Sequence, residues 1–234
     1  MRKAIPESIK RALRQEAQFG CVICGCPIIE YHHIEPYSVV GEHEPSNLVV
    51  LCPTDHHRAD CNELSTSRIL EAKKNPFNAK TACSKQDISF GRFDDLVLII
   101  GGNRYINNDT ILEIDDVPII YVKADSNGYT LFCASFYDTN NNLLAEIRDN
   151  EWIAYLDNNL WDIQYKPGHL KIYNQVRHLL LELESKQNII EMRATINYNG
   201  HTLYLLPNES IFGGMSISGS TFEGQRCAIR YRTK

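Results

Sequence analysis

Three stretches decide the fold of this chain: Cys21-Val22-Ile23-Cys24, then Tyr31-His32-His33-Ile34-Glu35-Pro36, then Asn47-Leu48-Val49-Val50-Leu51-Cys52-Pro53-Thr54-Asp55-His56-His57. They combine a Cys-x-x-Cys turn, a strand ending in paired histidines, an asparagine, and a Cys-x-x-Asp-His helix start. Thiols and imidazoles at these intervals are the donor chemistry of a metal site. A segment of about 70 residues with two short strands buries little apolar surface, so a structural metal is its expected supplement.

Around this centre the pattern predicts a helix over 6–17, where Pro6 suits the first turn and Ile9, Leu13 and Ala17 recur at helical spacing. Phe19-Gly20 ends it. A short strand lies within 27–34, a loop over 37–46 and a second strand over 48–51, and Pro53 opens a helix. A further helix covers 67–74, capped by Ser65 or Thr66 and stopped at Asn75-Pro76. Residues 75–95 are polar and poorly periodic.

Beyond them the grammar becomes that of strands. Candidates run over 97–100, 119–124, 129–137, 143–147, 176–184, 189–198 and 202–206, split by turn signals such as Asp125-Ser126-Asn127-Gly128, Pro167-Gly168 and Asn199-Gly200. Short strands at this spacing indicate an antiparallel sandwich or barrel of about 130 residues. The expected fold class is therefore α+β, divided into a metal-stapled unit over 1–78, a linker over 79–94 and an all-β sandwich or barrel-like unit over 95–234.

The formal net charge is −5, and its distribution matters more than its sum. Residues 1–92 hold 12 basic against 11 acidic residues, while 93–234 hold 12 against 18. Arg2, Lys3, Lys10, Arg11 and Arg14 outnumber Glu7 and Glu16 near the start, a local positive patch that suits a phosphate backbone. The acidic second part argues against general DNA binding there, and for a protein partner or self-association. No run of about 18 apolar residues marks a membrane span. The start, Met1 to Glu7, lacks the apolar run of a secretory signal, so a cytoplasmic location is expected. Thiols stay reduced there, and the cysteines read as metal ligands or small buried hydrophobes.

Cys21, Cys24, Cys52 and Asp55 are the candidate ligands of a structural zinc, with His56, Cys26 and Cys61 as alternatives for the fourth position. A carboxylate is a harder ligand than a thiolate, so Asp55 implies a more labile site. Metal-assisted hydrolysis needs a base for the attacking water, a cation and a scaffold that holds both. Adjacent histidines on a strand face opposite ways, so one can turn to a metal and the other to water. A neutral imidazole with a pKa of about 6.5 is matched to taking that proton at physiological pH.

In order and spacing, these residues resemble the HNH endonucleases, whose ββα-metal fold cuts nucleic acid with a histidine base and one divalent cation. The resemblance implies His32 as metal ligand, His33 as general base and Asn47 as the residue that ties the intervening loop. It places His56 as the second ligand of the catalytic ion, with Asp60 or His57 as further candidates. Asp55 stands where the family usually has a second cysteine or a histidine. Mixed nitrogen and water ligation admits magnesium, manganese, nickel or zinc as the catalytic ion. The partner implied is nucleic acid, with DNA as the expected substrate.

The stretch 144–152 is similar to β-units that follow HNH modules in some bacterial and phage-like proteins. The competing reading is a non-catalytic zinc module that binds nucleic acid or protein, with the β-unit as a sensing or assembly element. His33 argues against it, because binding alone needs no base there.

Overall fold

A computed structural model describes residues 3–158, 160–176 and 178–233; Arg2 of the expected basic patch lies outside them. The first helix, α1 (Glu7–Glu16), buries Leu13. It is followed by a two-stranded sheet of β1 (Glu30–His33) and β2 (Leu48–Leu51), antiparallel with His32 opposite Val49 and His33 opposite Leu48. All four residues of β2 are buried, so this strand is the spine on which the neighbouring elements pack. Between the strands, the expected loop contains one helical turn, α2 (Tyr37–Val40), and a 3-10 turn over Pro45–Asn47.

After β2 comes α3 (Pro53–Asp60), with Pro53 in its first turn and Cys52 as N-cap. Next is α4 (Thr66–Lys74), where the Ser65 hydroxyl accepts from the Arg68 N–H at 3.3 Å. Both helix starts follow from capping chemistry written in the sequence. Leu13, Ala17, Val22, β2, Ala59, Leu64 and Ile69 form one apolar cluster.

A second and larger cluster fills the β-rich remainder, around Trp152, Tyr105, Phe132 and Phe136. Trp152 is fully buried. One run of paired strands goes from Cys83–Asp87 through Glu151–Tyr155, Leu143–Arg148, Thr130–Tyr137 and Val117–Ala124 to Thr110–Ile114. Another goes from Asp162–Lys166 through His169–Gln175 and His178–Lys186 to Ile189–Tyr198. Asn197 opposite Tyr137 bridges the two.

Three features correct the sequence reading. Pairing is not antiparallel throughout: Ile189–Met192 runs parallel to Val97–Ile100, Thr221–Glu223 to Arg104–Ile106, and Cys227–Tyr231 to Thr110–Ile114. The expected linker over 79–94 holds the strand Cys83–Asp87, in register with Glu151–Tyr155. Its Cys-Ser-Lys-Gln-Asp composition hides this, because its one fully buried side chain is a serine, whose hydroxyl donates to the Phe19 carbonyl at 2.9 Å.

The basic patch is the third correction. Arg14 is buried, and its guanidinium donates to both carboxylate oxygens of buried Asp162 at 2.8 and 2.7 Å and to the Tyr31 hydroxyl at 2.7 Å. Arg11 sits over the Trp161 ring at 5.2 Å, and Lys10 pairs with Glu7 at 3.0 Å. Arg14 and Arg11 thus fasten α1 to the segment around Asp162 and Trp161, while Lys10 pairs within the helix itself.

Candidate active site

The Cys-x-x-Cys turn is closed by backbone hydrogen bonds, from the Cys21 N–H to the Cys26 carbonyl and from the Gly25 N–H to the Cys21 carbonyl, both 2.8 Å. Gly25 has φ +80°, and a Cβ there would meet the Asn78 side chain at 2.4 Å, so only glycine lets the turn close against its neighbour. The turn presents Cys21 and Cys24 to the start of α3.

There, one donor atom from each of Cys21, Cys24, Cys52 and Asp55 lies within 4.8 Å of the others. The Cys24 and Cys52 sulfurs are 3.7 Å apart, and Asp55 Oδ2 is 3.2 Å from the Cys21 sulfur and 3.4 Å from that of Cys52. A tetrahedral zinc with Zn–S bonds of about 2.3 Å sets its sulfurs about 3.8 Å apart. The donor set therefore fits such an ion.

Burial raises the Cys21 thiol well above its usual pKa and pushes Cys24 up to about 12. Burial would also raise Asp55, but hydrogen bonds from Cys21, Cys24, Cys52 and Arg58 outweigh it and hold the carboxyl below its usual range. Arg58 Nη1 donates to Asp55 Oδ1 at 2.7 Å, which fixes the carboxylate with its other oxygen turned to the sulfurs. Of the alternatives for the fourth position, Cys26 contacts the Ile28 carbonyl at 3.9 Å and Cys61 faces His57 at 3.6 Å. His56 belongs to a different group.

That second group lies across β1 and α3, where His32, His56 and Asp60 bring one donor atom each within 4.8 Å of the others. Asp60 carboxylate oxygens lie 3.5 Å from His32 Nδ1 and 3.3 Å from His56 Nδ1. The two rings meet edge to face at 4.9 Å. His56 and Asp60 share a face because they are four residues apart on a helix. Burial and the neighbouring His56 both lower the pKa of His32, against the pull of Asp60. The neutral imidazole that this favours is the form that ligates a metal. His57 is exposed, faces Cys61, and is not part of the group.

His33 follows at the end of β1 and is 8% exposed. It lines the same groove, of about 890 Å³, as His32, His56 and Asp60. Asn47 shapes the exit from β1: its Oδ1 accepts from the Glu35 N–H at 2.7 Å, and its Nδ2 donates to the Glu35 carbonyl at 2.9 Å. Both backbone groups of Glu35 are held by one side chain, which pins the turn two residues after His33.

Residues 21–60 match the HNH endonuclease family model. The HNH segment so defined takes in both donor groups, His33 and Asn47, and ends where α3 ends. HNH nucleases generally use divalent metals, and the Cys21, Cys24, Cys52 and Asp55 group could hold one. The chain matches no curated protein and no solved structure. Among the described residues, no helix is long and apolar enough to cross a membrane.

Sequence reasoning missed two residues around the HNH site. Glu30 Oε2 lies 3.4 Å from His56 Nδ1; strand alternation carried this signal, since Glu30 and His32 are two apart and share a face. His43 lies with Nδ1 3.1 Å from His33 Nε2. No periodicity marks it, because the contact depends on how the loop between the strands folds back.

Proposed function

We propose that this chain is a metal-dependent HNH endonuclease that hydrolyses phosphodiester bonds of DNA, with residues 1–78 as the nuclease unit and a β-rich accessory unit that begins with the strand Cys83–Asp87. One observation carries the reading. A histidine outside the metal-donor trio opens into the same groove as that trio, and its turn is clamped by Asn47. A binding module needs donors for its metal, but it has no need of a further positioned base.

In this reading His33 takes a proton from the attacking water, and Asn47 holds the turn that fixes the end of β1. His32, His56 and Asp60 would hold the divalent cation, with Glu30 within reach of His56. When bound, such an ion polarises the phosphoryl group and stabilises charge on the leaving oxygen. Cys21, Cys24, Cys52 and Asp55 would hold a structural zinc that joins the first turn to the start of α3.

The experiment is cleavage of a supercoiled plasmid with manganese, comparing the full chain with His33→Ala. Loss of a positioned base typically costs about 10²- to 10⁴-fold. Cleavage by the variant at the wild-type rate would remove His33 from the mechanism. Absence of cleavage by the wild-type chain, on DNA and on RNA, would favour the non-catalytic module.

A further inference from the structure

We infer that His43 is a positioning residue for His33, and that it selects which ring nitrogen of His33 carries the lone pair. The inference rests on the reading of His33 as the base. His33 Nε2 lies 3.1 Å from His43 Nδ1, and His43 Nε2 lies 2.7 Å from the Lys3 carbonyl oxygen. A carbonyl only accepts, so His43 Nε2 carries the hydrogen. A neutral imidazole has one hydrogen, which leaves His43 Nδ1 as an acceptor. His33 Nε2 must then donate to it, and the lone pair of neutral His33 resides on Nδ1. The relay from carbonyl to His43 to His33 thus sets neutral His33 as the Nε2-protonated tautomer.

The geometry holds this relay at three points. Tyr37 stacks on His43, with ring centres 4.8 Å apart and planes 26° apart, and meets His33 edge to face at 5.4 Å. His33 is itself buried. The Lys3 carbonyl lies in the segment that leads into α1, so the chain start and the loop between β1 and β2 jointly set the proton on the base. A histidine whose tautomer is fixed by its second nitrogen is ready to accept a proton at the first without rearrangement.

The test uses the full chain labelled with nitrogen-15 at its histidines, read by long-range proton–nitrogen correlation at about pH 8, where imidazoles are largely neutral. His33 is expected to be protonated at Nε2, and His43 likewise. In His43→Ala, His33 should become a mixture of both tautomers. In His43→Asn, whose side-chain oxygen can accept in place of Nδ1, the wild-type tautomer should return. With manganese and plasmid, the Ala variant should lose kcat by roughly 10- to 100-fold with KM little changed, as for residues that orient a functional histidine, and the Asn variant should recover most of it.

His33 protonated at Nδ1 in the wild type, or a His33 tautomer unmoved by His43→Ala, would overturn the inference. Should the Ala variant fail to fold, the wild-type and Asn spectra still decide it. If the wild-type chain cleaves nothing, the nuclease reading fails, while the tautomer spectra still judge His43.

Discussion

Arg14 and Asp162, 148 residues apart, form a buried two-pronged ion pair between α1 and the strand Asp162–Lys166. Burial opposes the guanidinium charge, and the hydrogen bonds and attraction of Asp162 overcome it, so Arg14 is held charged. Gln15 Nε2 donates to the Trp161 carbonyl at 2.7 Å and Gln164 Nε2 to Asp162 Oδ2 at 2.9 Å, which satisfies the polar groups around the pair.

Removing one partner leaves the other charge stranded. Asp162→Ala should therefore cost about 3–5 kcal/mol, whereas the double change Arg14→Met with Asp162→Leu should recover much of that loss, as buried pairs replaced by apolar side chains often do. Chemical denaturation of both variants checks this. An Asp162→Ala chain as stable as the wild type would show that the pair contributes nothing.

The structural metal gives a second prediction. Cys21→Ser or Cys24→Ser should unfold the first 78 residues, because binding a structural zinc is worth on the order of 10 kcal/mol of folding free energy. Elemental analysis should find one tightly held zinc per chain. Full native circular dichroism in a zinc-free preparation is incompatible with the staple.

Asp55 separates ligand from bystander. Asp55→Cys should raise zinc retention against a chelator series, since thiolate suits zinc better than carboxylate. Arg58→Ala frees the carboxylate from its 2.7 Å partner and should lower retention modestly. Equal retention by Asp55→Ala and wild type would mean that the metal has another fourth ligand.

Asn47→Ala removes both hydrogen bonds to the Glu35 backbone. Because a misplacement of about 1 Å at a catalytic group can cost on the order of 10²-fold, plasmid cleavage should fall by about that much while zinc content stays unchanged. Unchanged cleavage would make the clamp dispensable.

Glu182 supplies the pH dependence. Burial would raise its carboxyl, but Lys171, His169 and Arg193 outweigh it and lower the pKa from 4.5 to about 2. A depressed folded pKa contributes stability that is complete above the unfolded value and disappears as pH falls from about 4.5 to about 2. The contribution is at most about 3 kcal/mol, reduced further by solvent screening. Wild type should exceed Glu182→Gln in stability at pH 6, and the gap should close towards pH 2. A gap independent of pH contradicts the linkage.

The ββα arrangement and both donor groups were legible because their signals are local. Pro53 and Ser65 mark helix starts, and Cys21/Cys24, Cys52/Asp55 and His56/Asp60 meet through turn or helix geometry at short spacing. What escaped is what depends on distant chain. Cys83–Asp87 is polar and is a strand only because Glu151–Tyr155 pairs with it. Arg14 looked like a phosphate contact until its carboxylate partner was placed. His43 carries no pattern at all, and acquires meaning only when its loop returns to β1.

The parallel pairing of Cys227–Tyr231 with Thr110–Ile114 has a consequence in time. Arg230 reaches Glu113 across 117 residues, and translation proceeds at about 5–20 residues per second. One edge of the Thr110–Ile114 strand thus waits roughly 6–23 seconds on the ribosome for its partner, with backbone donors and acceptors open to any passing strand. Glu113 is on that strand from the outset. Once Arg230 emerges, that carboxylate ties the closing strand to its neighbour.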